Sequence, residues 1–231
     1  MNLFYAPGIK GNSCVLDEVE SKHAVQVLRL KVSDQIQLMD GNGNFYDAEI
    51  TSAHPKKCEV TVHSSRSFVR RKLNLHIAVA PTKMNERLEW FLEKATEIGV
   101  EQITPVICER SERRNTNHER FDKVIVTAMK QSMQPYKPVL HEQQTLQTFL
   151  KAAPPGFIAH CREGEKTDFK KNAFTSNEVT ILIGPEGDFT GPEVDAAIAA
   201  GWIPVSLGPS RLRTETAALV AVHTVNLLLE Y

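Results

Sequence analysis

The sequence predicts an α/β protein with a mainly parallel sheet, preceded by a small domain rich in β-strands. Two patterns in the 231 residues lead to this prediction. After residue 72, short apolar runs alternate with stretches of helical periodicity, which is typical of a parallel α/β sheet. Before residue 70, short stretches of alternating apolar and polar residues are separated by tight-turn sequences. We expect the boundary in the polar, basic segment 64–72, which gives one domain over 1–70 and another over 71–231.

The N-terminal domain is expected to be a small β-barrel, because its strands are short and its turns are tight. Apolar and polar residues alternate on both sides of Asp40–Gly43, which predicts a β-hairpin, and Glu59–Val62 predicts a further strand. Asp17–Arg29 is predicted to be a short helix with three apolar residues on one face: Ala24, Val27 and Leu28. The glycines of Asp40–Gly43 lack the third glycine and the following helix of a dinucleotide-binding motif, so we interpret them as a turn.

The C-terminal domain is predicted to alternate strands and helices. Strands are expected at Leu75–Ala80, Ile103–Cys108, Phe157–His160, Val179–Ile183 and Ile203–Leu207. Helices are expected at Met84–Ile98, His118–Ser132, Thr145–Ala152, Thr190–Gly201 and Thr214–Tyr231. A capping box, in which Thr190 and Glu193 bond each other's backbone N–H, marks the start of the fourth helix. The polar segment Lys166–Asn177 is predicted to be a loop.

Two glycine-containing turns follow the last two predicted strands and form the candidate site. One turn is Gly184–Gly187 and the other is Gly208–Pro209. Ligands of open α/β sheets bind beyond the carboxyl ends of the strands, where both turns are expected. The sequence has no Walker motif, and Glu186 and Asp188 would repel a polyphosphate, so a ligand with a cationic centre fits better. The alternative, that the turns only connect strands to helices, stays open.

The composition is that of an ordinary globular protein, and the net charge of −1 argues against a uniformly basic nucleic-acid binder. The four cysteines are widely spaced, which favours reduced thiols over disulfides or zinc. No histidine or carboxylate cluster suggests a metal, and no apolar run approaches the ~20 residues that span a bilayer. No signal peptide is apparent at the N-terminus. We therefore expect a cytoplasmic protein without a metal.

Four ordered segments along the chain carry a resemblance to a known family. They are His23–Arg29, Lys94–Val100, Gly184–Gly187, and Leu207–Gly208 together with Leu212–Ala217. On these segments the chain resembles the SPOUT superfamily of RNA methyltransferases. More narrowly, it is similar to the bacterial ribosomal small subunit RNA methyltransferase E family, which methylates N3 of a uridine. The chain departs from the usual family pattern at Ser210 and at Lys130.

The resemblance implies a trefoil knot in the second domain and a PUA-like RNA-binding barrel in the first. It implies S-adenosyl-L-methionine as the methyl donor and 16S ribosomal RNA of the small ribosomal subunit as the partner. The donor site that it implies comprises Leu182, Ile183, Gly184, Glu186, Gly187, Ser206, Leu207, Gly208, Leu212 and Thr214. It also implies a homodimer paired through the last helix, which has a broad face of small and apolar residues: Ala217, Ala218, Ala221, Val222, Val225 and Leu228. Burial of that face within its own subunit is the alternative.

Arg213 is the candidate catalytic residue. When uridine N3 loses its proton, negative charge spreads onto O2 and O4, and a fixed cation there would stabilise it. The alternative is a structural ion pair of Arg213 with Glu186 or Glu215. Glu215 could act as a base, but a carboxylate at the start of a long helix is also favoured by the helix dipole, and we prefer that role. His160 ends a predicted strand on the ligand side and is a lesser candidate for the site.

Five arginines are candidate RNA contacts, because local clusters of basic residues can bind phosphates whatever the net charge. They are Arg29, Arg66, Arg70, Arg71 and Arg211. The alternative is that they are solvated surface charges. For the whole chain, two other functions stay open. One is methylation of a different RNA position, and the other is RNA binding or ribosome assembly without catalysis.

Overall fold

The computed structural model describes residues 2–172 and 177–229. The chain forms two compact units. The first runs to Arg70 and also includes Val126–Lys137, and the second comprises Arg71–Ile125 and the residues from Pro138 onward. The domain boundary at residue 70 stays a prediction. That prediction assigned Val126–Lys137 to the C-terminal domain, whereas these residues belong to the first unit.

The first unit contains a curled five-stranded sheet with the strand order β1-β3-β4-β5-β2. Its strands are β1 (Leu3–Tyr5), β2 (Ser13–Val15), β3 (Gln35–Met39), β4 (Asn44–Ser52) and β5 (Glu59–Ser67). The pair β1–β3 is parallel, and the other pairs are antiparallel. The predicted hairpin is confirmed: the carboxylate of Asp40 accepts the backbone N–H of Asn42 at 2.7 Å and of Asn44 at 3.1 Å, which holds the turn.

Two predictions in this unit were wrong in extent. Strand β5 continues beyond Val62 to Ser67, because its exposed second half pairs with the start of β4 after a bulge. The helix is only α1 (Glu18–Lys22), followed by a wider π-helical turn that ends before Leu28. Val27 is 65% exposed, so the expected apolar face does not form, and of its members only Ala24 is buried. These elements are too short for helical periodicity to be informative.

The second unit contains an eight-stranded sheet, and every strand pair of the described residues in it is parallel. The strand order is β11-β13-β10-β12-β6-β7-β8, with β9 also pairing with β7. Its strands are β6 (Asn74–Val79), β7 (Gln102–Ile107), β8 (Val139–Leu140), β9 (Gln144–Thr145), β10 (Phe157–Ala159), β11 (Thr167–Asp168), β12 (Glu178–Ile183) and β13 (Ile203–Ser206). The predicted mainly parallel α/β sheet is confirmed.

The helices after α1 are α2 (Asn85–Ile98), α3 (His118–Ser132), α4 (Leu146–Ala152), α5 (Gly191–Ala199) and α6 (Thr214–Leu229). They follow the predicted pattern because their start and stop signals are local. Gly99 has a φ of 114° and ends α2, and the capping box of Thr190 and Glu193 begins α5. The prediction that the last helix reaches Tyr231 extends beyond the described residues.

Two hydrophobic layers cover the sheet of the second unit. On one face, side chains of β6 and β12 pack with α2 and α6, with Leu75, Ile181 and Val222 fully buried. On the other face, Leu182 packs with Phe149 and Trp202. Such double coverage is expected for a parallel sheet.

The segment Lys166–Asn177 was predicted to be a loop, and this was partly wrong. It contains β11 and a 3-10 turn over Phe169–Lys171. Phe169 is only 1% exposed and anchors the turn in the core, which its polar neighbours obscure in the sequence. Residues 173–176 lie outside the described residues. In the described chain, no helix is long and apolar enough to cross a bilayer. The trefoil knot stays a prediction.

Candidate functional site

The candidate site lies at the carboxyl ends of three adjacent strands of the second unit. Strand β10 lies between β12 and β13, with Ala159 in register with both Ile183 and Val205. The segments that follow these strands therefore start side by side. This is the edge of a parallel sheet at which ligands bind, and both predicted turns lie there.

The three segments enclose an open cleft of about 630 Å³. Eight of the ten residues expected to bind the donor line this cleft: Ile183, Gly184, Glu186, Ser206, Leu207, Gly208, Leu212 and Thr214. Leu182 does not line it, because its side chain is buried in the core beneath. Gly187 does not line it either, because its carbonyl accepts a 3.0 Å hydrogen bond from Arg110 Nη1 and it packs against that side chain.

Hydrogen bonds between the segments fix the shape of the cleft. Asp188 has a φ of 62°, and its Oδ2 accepts the backbone N–H of Cys161 at 2.9 Å, which ties the segment after β12 to the segment after β10. Thr214 donates its hydroxyl to the Gly184 carbonyl at 3.0 Å, which ties the start of α6 to the same turn. A non-glycine residue with positive φ is uncommon and marks a conformation that the surroundings impose.

The segment after β10 contributes residues that the sequence pattern did not identify, including Cys161 and Lys166. The order of the strands would have identified these residues, because it places β10 between the two strands that carry the glycine turns. His160, the lesser candidate, also lines the cleft. Its ring nitrogens are buried and have no hydrogen-bond partner among the described residues. Burial lowers the pKa of His160, and the charge of nearby Lys166 lowers it further.

Glu186 also carries a buried atom that the described chain leaves unpaired. Its Oε1 accepts the backbone N–H of Lys83 at 2.9 Å, whereas its Oε2 is buried without a hydrogen-bond partner. A buried carboxylate oxygen left unpaired costs free energy unless a ligand satisfies it. The arrangement suits a ligand with a cationic group.

The charges of the cleft differ from the acidic character expected from the two turns. Glu186 and Asp188 line it, but so do Lys166, Arg211 and Arg213. The cleft is therefore mixed in charge and can accept a ligand that carries both signs.

The side chain of Arg213 is exposed and makes no hydrogen bond or ion pair within residues 2–172 and 177–229. The alternative of an ion pair with Glu186 or Glu215 is thus not what the structure contains. Glu215 is instead 3.8 Å from Nη1 of Arg87 and is 7% exposed. Arg213 lines the cleft, and no carboxylate of the described residues pairs with its guanidinium.

Three of the arginines expected to contact RNA are exposed on the first unit. The Arg66 guanidinium lies 5.2 Å from the ring centre of Phe45 and 5.9 Å from that of Phe68, and the Arg70 guanidinium lies 5.4 Å from that of Tyr136. Arg29 is exposed with a φ of 57°. The aromatic partner of Arg70 was not predictable from the basic cluster, because Tyr136 is remote from it in sequence.

Arg71 differs from these three. It belongs to the second unit, and its Nε is 2.5 Å from Glu101 Oε1. Its Nη2 donates to the Gly99 carbonyl at 2.9 Å, and its Nη1 donates to the side chain of Asn226. Because the guanidinium already serves the fold, we remove Arg71 from the set of RNA contacts.

The two departures from the family pattern have distinct settings. The Nζ of Lys130 is 2.5 Å from Oε1 of the buried Glu20, so this lysine is a structural ion-pair partner within the first unit. Ser210 is exposed and lines the cleft. Among the described residues, no group of three or more His, Cys, Asp or Glu side chains is arranged to hold a metal ion.

Comparisons with known proteins identify the family. An RNA methyltransferase domain family matches residues 69–226, and an RNA methyltransferase PUA domain family matches residues 16–62. The chain is 31% identical to "Ribosomal RNA small subunit methyltransferase E" of Rickettsia conorii over 220 residues, covering 91% of this chain and 89% of that one. The chain belongs to the ribosomal RNA small subunit methyltransferase E family.

Solved structures of similar proteins share the fold. A probable rRNA-methyltransferase from Porphyromonas gingivalis is 41% identical with a TM-score of 0.90, over 100% of this chain and 99% of that one. A ribosomal RNA small subunit methyltransferase E from Neisseria gonorrhoeae, bound to S-adenosyl methionine, is 26% identical with a TM-score of 0.88, over 99% and 98%. The predicted SPOUT-type fold with a PUA-like first unit is confirmed.

Proposed function

We propose that this protein transfers a methyl group from S-adenosylmethionine to N3 of a uridine in the 16S RNA of the small ribosomal subunit. The observation that supports this most directly is the cleft at the ends of β10, β12 and β13, with an unpaired arginine in its wall. Family membership supports the class of reaction, and the cleft is the proposed site at which it occurs.

The residues of the cleft fit the methyl donor. S-adenosylmethionine supplies a methyl group that is already activated on a sulfonium, and it also carries an ammonium and a carboxylate. The buried, unpaired Oε2 of Glu186 offers a partner for positive charge, and Lys166 or Arg211 offers one for the carboxylate. Gly208 has a φ of 140° with open space where a Cβ would project, so its backbone can approach a ligand closely.

Arg213 is proposed to stabilise the charge of the reacting uridine. The imide N3 becomes a nucleophile as its proton leaves, and the resulting charge spreads onto O2 and O4. A guanidinium is permanently charged and donates paired hydrogen bonds, so it stabilises this anion more than the neutral base. The exposed, unpaired position of Arg213 in the cleft supports this role.

The RNA contacts are proposed to come from Arg29, Arg66 and Arg70 of the first unit and from Arg211 beside the cleft. Rings next to Arg66 and Arg70, including the half-exposed Phe68, offer surfaces on which unpaired bases stack. Changing Arg66 and Arg70 to Ala should weaken RNA binding and reduce its salt dependence by about one counterion per lost phosphate contact. An unchanged salt slope, measured by titration at several salt concentrations, would count against these contacts.

A homodimer is proposed as the functional form, although the structure changes the argument for it. Four members of the expected apolar face of α6 are buried in the core of their own chain: Ala218, Ala221, Val222 and Val225. Other apolar residues of α2 and α6 are exposed: Trp90 by 42%, Leu227 by 52% and Leu228 by 39%. These support pairing through a smaller surface. The cytoplasm is the proposed location, because ribosomal subunits are assembled there.

The proposed function is tested by methylation of defined substrates. Small subunits and naked 16S RNA from a strain lacking this gene are incubated with the protein and labelled S-adenosylmethionine, and the product base is mapped. We expect one labelled uridine carrying the methyl group on N3. Label on another atom or another base would overturn the proposed specificity. Donor binding by calorimetry without any methyl transfer would favour the non-catalytic alternative.

A further inference from the structure

A polar stripe crosses the amino-terminal part of three central strands of the parallel sheet in the second unit. Thr180 of β12, His76 of β6 and Gln102 of β7 lie side by side, in register on three adjacent strands. On the same face, Asn74 and Thr104 extend the stripe. The carboxyl halves of the same strands carry apolar residues on that face, including Ala78, Leu182 and Val106. Strands covered on both faces are normally apolar throughout, so this stripe departs from what the fold requires.

The stripe forms one wall of a pocket of about 350 Å³ that Phe149, His141 and Gln144 complete. This pocket is distinct from the proposed donor cleft, since the two lie at opposite ends of β12. The separation along the strand is roughly 10–17 Å, at ~3.3 Å per residue. Residues that break the rules of a fold without a compensating gain in packing often mark a functional site.

Hydrogen bonds hold the polar side chains of the pocket in place. Gln102 donates to Asn74 Oδ1 at 2.7 Å, and its Oε1 is 2.8 Å from His141 Nε2. His76 Nε2 is 2.7 Å from Thr104 Oγ1. The rings of His76 and His141 lie 5.4 Å apart, and Phe149 packs edge-on against His76 at 5.6 Å. The pocket is thus lined by amides, hydroxyls, imidazoles and one aromatic ring in fixed positions.

The charges of the pocket restrict its ligand. Among the described residues, no Lys or Arg lines it, and its one charged side chain is the carboxylate of Glu178. Burial lowers the pKa of His76 to about 4 and also lowers the pKa of His141, so both imidazoles are neutral near pH 7. A phosphate or other anion therefore finds no positively charged partner among the described residues of the pocket. A metal is disfavoured because the described residues contain no group of three suitable ligands.

We propose that this pocket binds a single nucleobase. Amide side chains form paired hydrogen bonds with the edges of bases, and aromatic and imidazole rings stack on their faces. The volume is in the range of small-molecule sites but is too small for a long polymer to enter. The base could belong to an unpaired nucleotide of RNA or to a free nucleoside, since both present the same chemistry.

The test uses the full chain with saturating S-adenosylhomocysteine, so that adenosine cannot enter the donor cleft. Each of the common ribonucleosides, and short single-stranded RNAs of the same bases, are titrated while the ring signals of His76 and His141 are followed by nitrogen-15 NMR. We expect saturable shifts of both histidines with at least one base. Tighter binding of the oligonucleotide than of the nucleoside would identify RNA as the source, and equal or weaker binding would identify a free nucleoside.

Thr180→Val provides the matching variant. The Thr180 side chain makes no hydrogen bond within the described chain, so its near-isosteric replacement should fold normally while removing one donor from the pocket. We expect roughly threefold to tenfold weaker binding, the scale of one hydrogen bond. Thr51→Val, on an exposed strand position of the first unit, should change nothing. The inference is overturned if no base moves the two histidine signals, or if Thr180→Val binds as tightly as the natural protein. Neither result depends on methyl transfer.

Discussion

Arg213 is the residue on which the proposed chemistry depends most. Arg213→Ala should lower the rate of single-turnover methylation by roughly 10²-fold or more, the scale observed when a donor to a developing anion is removed. S-adenosylmethionine affinity, measured by calorimetry, should change much less. Arg213→Lys should recover little of the rate, because an ammonium cannot reproduce the paired donors of a guanidinium.

Two further variants control for charge and for folding. Arg211→Ala removes the same charge from the cleft and should mainly weaken RNA binding. Arg120→Ala removes a surface arginine that pairs with Glu89 and should leave methylation unchanged. A wild-type rate for a correctly folded Arg213→Ala protein would show that this arginine is not catalytic.

Arg70 and Arg71 are adjacent in sequence and should behave in opposite ways. Arg71→Ala leaves the buried carboxylate of Glu101 without its guanidinium, which should lower the free energy of unfolding by about 3 kcal/mol. Arg70→Ala removes only an exposed guanidinium above Tyr136 and should instead weaken RNA binding. Urea denaturation and RNA titration of both variants would separate the two roles. Equal stability of the two variants would contradict the assignment.

His76 should make the stability depend on pH. Its folded pKa of about 4 lies below the ordinary value of 6.5, because burial disfavours the charged ring. The stabilising contribution is therefore complete above pH 6.5 and is lost as the pH falls towards 4, at up to about 1.4 kcal/mol per pH unit. His76→Gln should flatten this part of the profile in urea denaturation, whereas His223→Gln, on the exposed side of α6, should preserve it. An identical slope for both variants would refute the assignment.

Helix α5 begins with a clear capping signal in the sequence. The Thr190 hydroxyl accepts the backbone N–H of Glu193 and thereby caps the helix. The Glu193 carboxylate also accepts the backbone N–H of Glu109 at 2.7 Å. Thr190→Ala should lower the free energy of unfolding by about 1–2 kcal/mol, because a buried cap and its helix end lose a partner. Thr190→Ser should retain most of the stability. Thermal unfolding of the two variants is the measurement, and equal losses would exclude the cap as the cause.

Secondary-structure elements were predicted best where nearby residues define their ends. Helix α3 has the predicted bounds, and Gly99 ends α2 as expected. The two-residue strand β11 and the burial of Phe169 were missed, because partners distant in sequence create them. Periodicity cannot reveal such pairings.

For the whole molecule, the oligomeric state can be tested at the exposed apolar residues of α2 and α6. Leu227→Glu should convert the proposed dimer to a monomer at micromolar concentration, because a charge would be buried in the interface. Val15→Glu, at a 49% exposed position of the first unit, is the matched control and should leave the dimer intact. Sedimentation velocity distinguishes these states. A natural protein that sediments as a monomer would reject the dimer.

The candidate site was predictable in outline but not in its electrostatics. The two glycine turns located it, since the ends of parallel strands meet at one edge. The contribution of Lys166 to the charge of the cleft was not predictable, because this residue comes from a segment whose place depends on the order of the strands. The structural role of Arg71 was hidden for the same reason: Glu101 and Asn226, its partners, are remote in the chain.

The first unit is assembled from two separate stretches of chain, and this affects how the protein is made. Met129 is buried with Met39 and Phe45, and Tyr136 donates to the Phe68 carbonyl at 2.7 Å. A ribosome synthesises the chain from its N-terminus, so these contacts cannot form until residue 137 has left the exit tunnel. By then the intervening segment 71–125 has already emerged. The first unit therefore cannot complete its fold when its N-terminal part emerges. It needs residues that are translated only after more than half of the chain.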